Sequence, residues 1–265
     1  MAQNYPEYVR RLRDYASLAE VNEYGRVVEG GTEYPLLRLT VPGERWLVIT
    51  SGFHGEEPAG PLTLVKHFAH IAAYAREHGV GLRVYPCINP SGFEDGTRYN
   101  RGGERMNNDF LRYETAPGVW KDRLADQEEF VRWVLYDQGP QETRAVRADI
   151  ARYPAPIAAL DIHQDNFLQV DATYAYSFGD SAPYRRLMEA SSAHARVLRS
   201  EKVGERDAEV DAVDEIENER REEALLEETS ERDVNEDTLQ RCGDGLRDSS
   251  WRGRTALFRY DSSER

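Results

Sequence analysis

A histidine and a glutamate stand three residues apart in "TSGFHGEEPAG", residues 50–60, as His54 and Glu57. The run "RWLVI" before them reads as an apolar strand, and Gly52 and Gly55 turn the chain around them. A buried strand needs no histidine at its end, whereas a metal site often does. On a turn entering a helix, this spacing brings both side chains to one side. Zinc accepts imidazole nitrogen and carboxylate oxygen, and its catalytic sites use three protein ligands with one position open. A lone H-x-x-E is a weak signal, because most such pairs are surface accidents. The third ligand has to come from elsewhere, and His163 in "LDIHQD" is the candidate, at the end of another strand-like run.

A His/Glu/His zinc site suits hydrolysis, since the ion polarises a carbonyl and lowers the pKa of its water. Such chemistry also needs a carboxylate as general base and a donor for the developing oxyanion. The stretch "GTRYNRGGERMNNDF" offers Arg98, Arg101 and Arg105 for the second task, and Asn107 to orient a substrate carboxylate or amide. The other four histidines carry less. His67 and His70 share a helix with Lys66 and have no convergent carboxylate. His78 falls at a helix end, where the last carbonyls account for it, and His194 reads as part of a surface helix.

The elements that must position these residues alternate. A short helix over residues 6–20 begins at Pro6, and "YPLLRLTV" and "RWLVITSG" read as strands joined through "PGE". Leu64, Val65, Phe68, Ile71, Ala72 and Ala75 repeat at helical spacing, and Gly79 closes that helix. "GLRVYPCIN" reads as a third strand, followed by a long loop, "PSGFEDGTRYNRGGERMNNDF". "PQETRAVRADIARY" is a helix, "PIAALDIHQD" and "DATYAYSFGD" are strands, and "PYRRLMEASSAHARVL" is a helix. Alternation of this kind predicts an α/β fold with a largely parallel or mixed sheet, with ligands gathered where strands end in loops. The polar stretches near residues 54, 98–108 and 163 all follow strands.

Length suits one large domain or a domain with an appendage. The formal net charge of −14 is uneven: residues 201–240 hold 17 acids against five bases, so the rest of the chain is nearly neutral. That segment reads as a solvated helix or a disordered stretch, and its abrupt onset also fits a corrupted tail. The expected organisation is a catalytic unit over 1–200, the acidic segment over 201–240, and a last strand within 241–265. No basic stripe points to nucleic acid, and no apolar run is long enough to span a bilayer. Two cysteines, Cys87 and Cys242, form no C-x-x-C pair, so the expectation is a reduced, cytoplasmic protein.

Three ordered stretches, "SGFHGEEPAG", "INPSGFEDGTRYNRGGERMNNDF" and "ALDIHQD", resemble the zinc carboxypeptidase superfamily. The likeness is to its short bacterial members and to the succinylglutamate desuccinylase/aspartoacylase branch, over residues 30–195. The resemblance implies an α/β/α sandwich around a mixed, mostly eight-stranded sheet. It implies one Zn2+ held by His54, Glu57 and His163, with Arg98 polarising the scissile carbonyl and Asn107 binding substrate carboxylate. Two positions depart from the pattern. Asn108 stands where the family has an arginine that pairs with a terminal carboxylate in bidentate fashion. Arg105 stands where it has an aspartate behind the first zinc histidine. The family also carries a catalytic glutamate on a late strand. "RTALFRYDSSER" is the late segment with strand character here, which makes Glu264 the candidate base. Glu227, Glu228 and Glu231 lie in the solvated stretch and are weaker candidates. The expected activity is cleavage of an amide in a small peptide or N-acyl amino acid. The alternative is a catalytically weakened member that binds peptides. No G-x-S-x-G elbow supports a metal-free hydrolase.

Overall fold

Asn4 opens the first helix: its side chain accepts from the Glu7 amide at 2.8 Å, and Pro6 sits in the first turn. This helix, α1 (Tyr5–Arg13), buries Tyr5, Tyr8, Val9 and Leu12 on one stripe. A 3-10 turn, Asp14–Ser17, follows, so the α-helix ends earlier than the 6–20 expected. The computed structural model describes residues 3–106, 111–121, 129–135, 139–154, 156–164, 172–178, 182–197, 202–203, 206–207 and 255–260. Asn107, Asn108 and Glu264 lie outside the described residues, as does most of the acidic segment.

Strands β1 (Glu20–Glu29) and β2 (Thr32–Val41) form an antiparallel hairpin turned at Gly30 and Gly31, whose φ values are 56° and 82°. β1 is absent from the sequence reading for a physical reason. It is an edge strand, mostly half-exposed, so its polar residues blur the alternation that would mark it. β3 (Arg45–Ser51), α2 (Ala59–Glu77) and β4 (Val80–Tyr85) make a crossover unit in which β3 and β4 run parallel. Leu64, Val65, Phe68, Ala72 and Ala75 of α2 are buried, as its periodicity implied, and Gly79 ends it at φ 64°.

The long loop expected next begins instead as a helix, α3 (Pro90–Asp95). Asn89 caps it by accepting from the Gly92 amide at 2.9 Å, and Gly96 closes it in the left-handed region. An antiparallel sheet of β5 (Leu111–Ala116), β6 (Val119–Lys121) and β7 (Arg132–Leu135) follows, which the sequence reading did not foresee. Then come α4 (Gln141–Ile150), β8 (Ala158–His163), β9 (Ala172–Phe178), α5 (Ala182–Ser191) and β10 (Arg196–Val197). Two short strands, β11 (Lys202–Val203) and β12 (Arg206–Asp207), pair with each other, and β13 is Thr255–Tyr260.

The main sheet is mixed, in the order β1-β2-β4-β3-β8-β13-β9-β10. β3 lies between β4 and β8 and runs parallel to both. β13 pairs parallel to β8 and antiparallel to β9. One hydrophobic cluster joins Leu36, Leu39, Leu64, Phe68, Leu82 and Val84 from strands and α2, and Cys87, free and buried, belongs to it. α4 is tied to the sheet by a buried polar group. Asp149 takes the Arg38 guanidinium, and the Tyr85 hydroxyl donates to it at 2.9 Å. Among the described residues no helix is long and apolar enough to cross a membrane.

Candidate metal centre

Parallel pairing of β3 with β8 carries the site. Thr50 registers with Asp161 and Ser51 with Ile162, so both strands end at the same edge of the sheet. The turn after β3 presents His54 and Glu57, and β8 itself ends on His163. The turn closes through the Glu57 amide, which donates to the His54 carbonyl at 3.2 Å. That i to i+3 closure is why the H-x-x-E spacing works here without a full helical turn. Gly55 is required by close approach: a Cβ on it would lie 1.9 Å from the Gly92 carbonyl carbon in α3. Gly52 turns the chain at φ 70°, and the Asn89 amide donates to its carbonyl at 2.8 Å.

The three side chains meet in a buried group, with one ligand atom from each lying within 4.8 Å of the others. His54 Nδ1 donates to Glu57 Oε1 and His163 Nδ1 to Glu57 Oε2, both at 2.7 Å. The Gln164 amide adds a bond to Oε2 at 3.1 Å, while the Gln164 side chain accepts from the Ala59 amide at the start of α2. Burial alone would raise the Glu57 carboxyl. Hydrogen bonds from His163 and then His54 outweigh it and hold the group down to about 2.

Asp161 is the part of the site that the sequence reading left without a role. It sits two residues before His163 in β8, so the two share a face of the strand. His163 Nε2 donates to Asp161 Oδ2 at 2.9 Å, and the Thr50 hydroxyl fixes the other carboxylate oxygen at 2.9 Å. Burial pushes the His163 imidazole down, but the charge and hydrogen bond of Asp161, then Glu57, lift it to about 9. The signal lay in "LDIHQD": an acid at i−2 from a strand-end histidine is placed to orient it.

Of the three arginines offered by the loop, Arg98 reaches the group. Its Nη1 donates to Glu56 Oε1 at 3.0 Å and to Glu57 Oε1 at 3.4 Å, with its side chain 39% exposed. Arg101 turns to Asp95 and Glu94, and Arg105 is exposed. Asn89 anchors the Arg98 backbone, donating from Nδ2 to the Arg98 carbonyl at 3.3 Å and to the Phe53 carbonyl at 3.2 Å. The competing histidines stand apart from the group. His67, His70 and His194 are exposed, and His78 bonds the Tyr74 carbonyl at 2.9 Å.

The donor set fits a divalent metal. Two imidazole nitrogens and a carboxylate oxygen converge in a buried space, and the second nitrogen of His163 is held by a carboxylate, the usual support for a ligating histidine.

The fold is shared with solved structures described as metallopeptidases and metallo-carboxypeptidases. Structures with this fold include one assigned as a metallopeptidase from Shewanella amazonensis, at TM-score 0.62 and 20% identity, covering 98% of this chain and 85% of that one. A metallo-carboxypeptidase from Burkholderia cenocepacia aligns at TM-score 0.52 and 20% identity over 72% of this chain and 50% of that one. The murein-tripeptide amidase MpaA from Escherichia coli O157 aligns at TM-score 0.50 and 16% identity, covering 92% and 84%. No protein-family model matches the sequence, and no curated protein sequence matches it.

Proposed function

We propose that this chain is a zinc-dependent hydrolase that cleaves an amide bond in a small peptide or an N-acyl amino acid. The observation that carries the reading is the buried convergence of His54 Nδ1, the Glu57 carboxylate and His163 Nδ1 at the end of two parallel strands. Those three residues would hold the ion, which when bound supplies Lewis acidity and a water of lowered pKa. Arg98, beside Glu57, donates to the oxyanion that develops on the scissile carbonyl. Asn107 and Asn108 bind the substrate's carboxylate or amide by neutral hydrogen bonds. Glu264 takes a proton from the attacking water and passes it to the leaving nitrogen. The same reading makes the sheet the eight-stranded centre of an α/β/α sandwich, with the catalytic unit over 1–200 and its last strand within 241–265. It also makes the protein cytoplasmic, with no nucleic-acid or membrane partner. The amide-cleaving neighbour supports a short peptide amide as the substrate class.

Metal analysis and turnover test this together. Purified protein is expected to carry one zinc per chain and to hydrolyse a panel of dipeptides or N-acyl amino acids, with His163→Ala losing both. Full zinc content in His163→Ala would overturn the ligand set. A zinc-free protein that binds peptides without cleaving them would favour the weakened binding protein, a reading motivated by Arg105 and Asn108.

A further inference from the structure

Three carboxylates converge where β1, the loop after α3 and α4 meet. Glu29 ends β1, Glu104 lies in the loop after α3, and Glu142 sits in the first turn of α4. One carboxylate oxygen from each lies within 4.8 Å of the others. None belongs to the His54–Glu57–His163 group.

Glu142 is fully buried, and neither of its oxygens receives a hydrogen bond of good geometry. Burial raises its carboxyl to about 7; its own amide and, at longer reach, the Asn100 side chain pull against the shift, while Glu29 and Glu104 add to it. The neighbours give little relief. Asn100 Nδ2 donates to Glu104 Oε2 at 2.8 Å and to Glu29 Oε1 at 3.3 Å, and the Gly102 amide donates to Glu29 Oε2 at 3.1 Å. Arg101, in the same loop, is committed to Glu94 and Asp95. No lysine or arginine pairs with any of the three acids among the described residues. A buried carboxylate aimed at two others, with only amide donors between them, is costly unless a proton or a cation joins the group, and a cation relieves all three acids at once.

We infer that Glu29, Glu104 and Glu142 form a second cation site that takes a hard divalent ion of the calcium class. Carboxylate oxygens alone select hard ions over zinc. Calcium binds oxygen at about 2.3–2.6 Å, so three oxygens within 4.8 Å of one another can all reach one such ion. Magnesium demands near-ideal octahedral geometry and keeps several of its waters, so a cage built from protein carboxylates favours calcium. The ion would clamp three segments that are distant in sequence: the end of β1, the loop and α4. Thr143, next to Glu142, already donates to the Met106 carbonyl at 2.6 Å, so the clamp lies where that loop docks on the helix.

The test uses the full chain pre-equilibrated with one equivalent of zinc, with Ca2+ alone added. Calorimetry should find one saturable calcium per chain, and the melting temperature should rise with calcium. Glu142→Gln, which keeps the shape, and Glu104→Gln, on the exposed side, should each weaken binding by roughly tenfold or more, since affinity follows ligand charge. Mg2+ should bind at least about tenfold more weakly than Ca2+. Absence of heat and of a melting shift up to about 10 mM calcium would overturn the site, because even weak extracellular modules bind in the range of about 10⁻⁴–10⁻³ M. Calcium binding unchanged in both variants would overturn it as well. So would a Glu142→Gln protein that is more stable than a calcium-indifferent wild type, since a shared proton would then account for the cluster. Magnesium binding as tight as calcium would refute the calcium assignment.

Discussion

Replacing Asp161 with asparagine should change zinc affinity in a way that depends on pH. Asp161 holds His163 Nε2 at 2.9 Å and is itself fixed by Thr50. Two consequences of its charge oppose each other. It makes the imidazole a better ligand, and loss of such a partner typically costs about 10–100-fold in metal affinity. It also raises His163 to about 9 in the ion-free protein. Metal binding needs the Nδ1 lone pair, so below that pH a proton must leave. At pH 7 only about one molecule in a hundred has lost it, a competition of about 2.7 kcal/mol. Wild-type affinity should therefore rise about tenfold per pH unit from 7 up to 9 and then level off. Glu57, held at about 2, does not compete in this window. In Asp161→Asn the imidazole moves back towards its ordinary value of about 6.5, and most of the competition disappears. The two effects nearly cancel at pH 7, so the variant should lie within about tenfold of wild type there. At pH 9.5 the full 10–100-fold loss should stand. Competition against a chelator at both pH values gives the affinities. Calorimetry in buffers of different ionisation enthalpy counts the protons, with about one released by wild type at pH 7 and markedly fewer by the variant. Equal losses at both pH values would refute the proton competition, and no loss at pH 9.5 would remove Asp161 as a positioning residue.

Arg98→Ala should lower kcat on the order of 10²–10³-fold while leaving zinc content intact, as loss of an oxyanion donor does. Near-normal kcat would show that the role belongs elsewhere. Gly55→Ala should destabilise the fold by about 3 kcal/mol or more, because the added carbon meets the backbone of Gly92 rather than a side chain that can yield. Urea unfolding measures this, and a change within experimental error would mean that the turn can move away from α3. A cleavable peptide should be hydrolysed with kcat/KM within roughly tenfold as free acid or C-terminal amide. Asn108 brings hydrogen bonds but no charged fork. A strong preference for the acid would mean that an arginine elsewhere has taken over.

How much of this was legible in the sequence follows from the kind of signal each part leaves. The convergence of His54, Glu57 and His163 was readable because few residue types suit a metal and strand ends restrict where they can stand. The helix α2 was readable because its buried face repeats at helical spacing without interruption. β1 was not, since an edge strand with half-exposed faces carries charges at positions where a central strand would be apolar. α3 was hidden for the opposite reason. Its capping residues, Asn89, Pro90 and Gly96, are the same types that mark turns, and only the hydrogen bonds distinguish the two. Asp161 shows a third case: it stands inside the motif "LDIHQD", yet its role depends on register. Only the pairing of β3 with β8 brings Thr50 opposite it and turns an acid in a strand into a support for His163. Glu29, Glu104 and Glu142 lie furthest from what a linear reading can reach. They come from a hairpin end, a loop and a helix start, and no spacing relates them. They meet because the β1–β2 hairpin, the loop after α3 and α4 pack at one place. Residues constrained by chemistry at a strand end announce themselves, whereas residues brought together by packing do so only in three dimensions. The second group is therefore where a function unforeseen from sequence has to be sought.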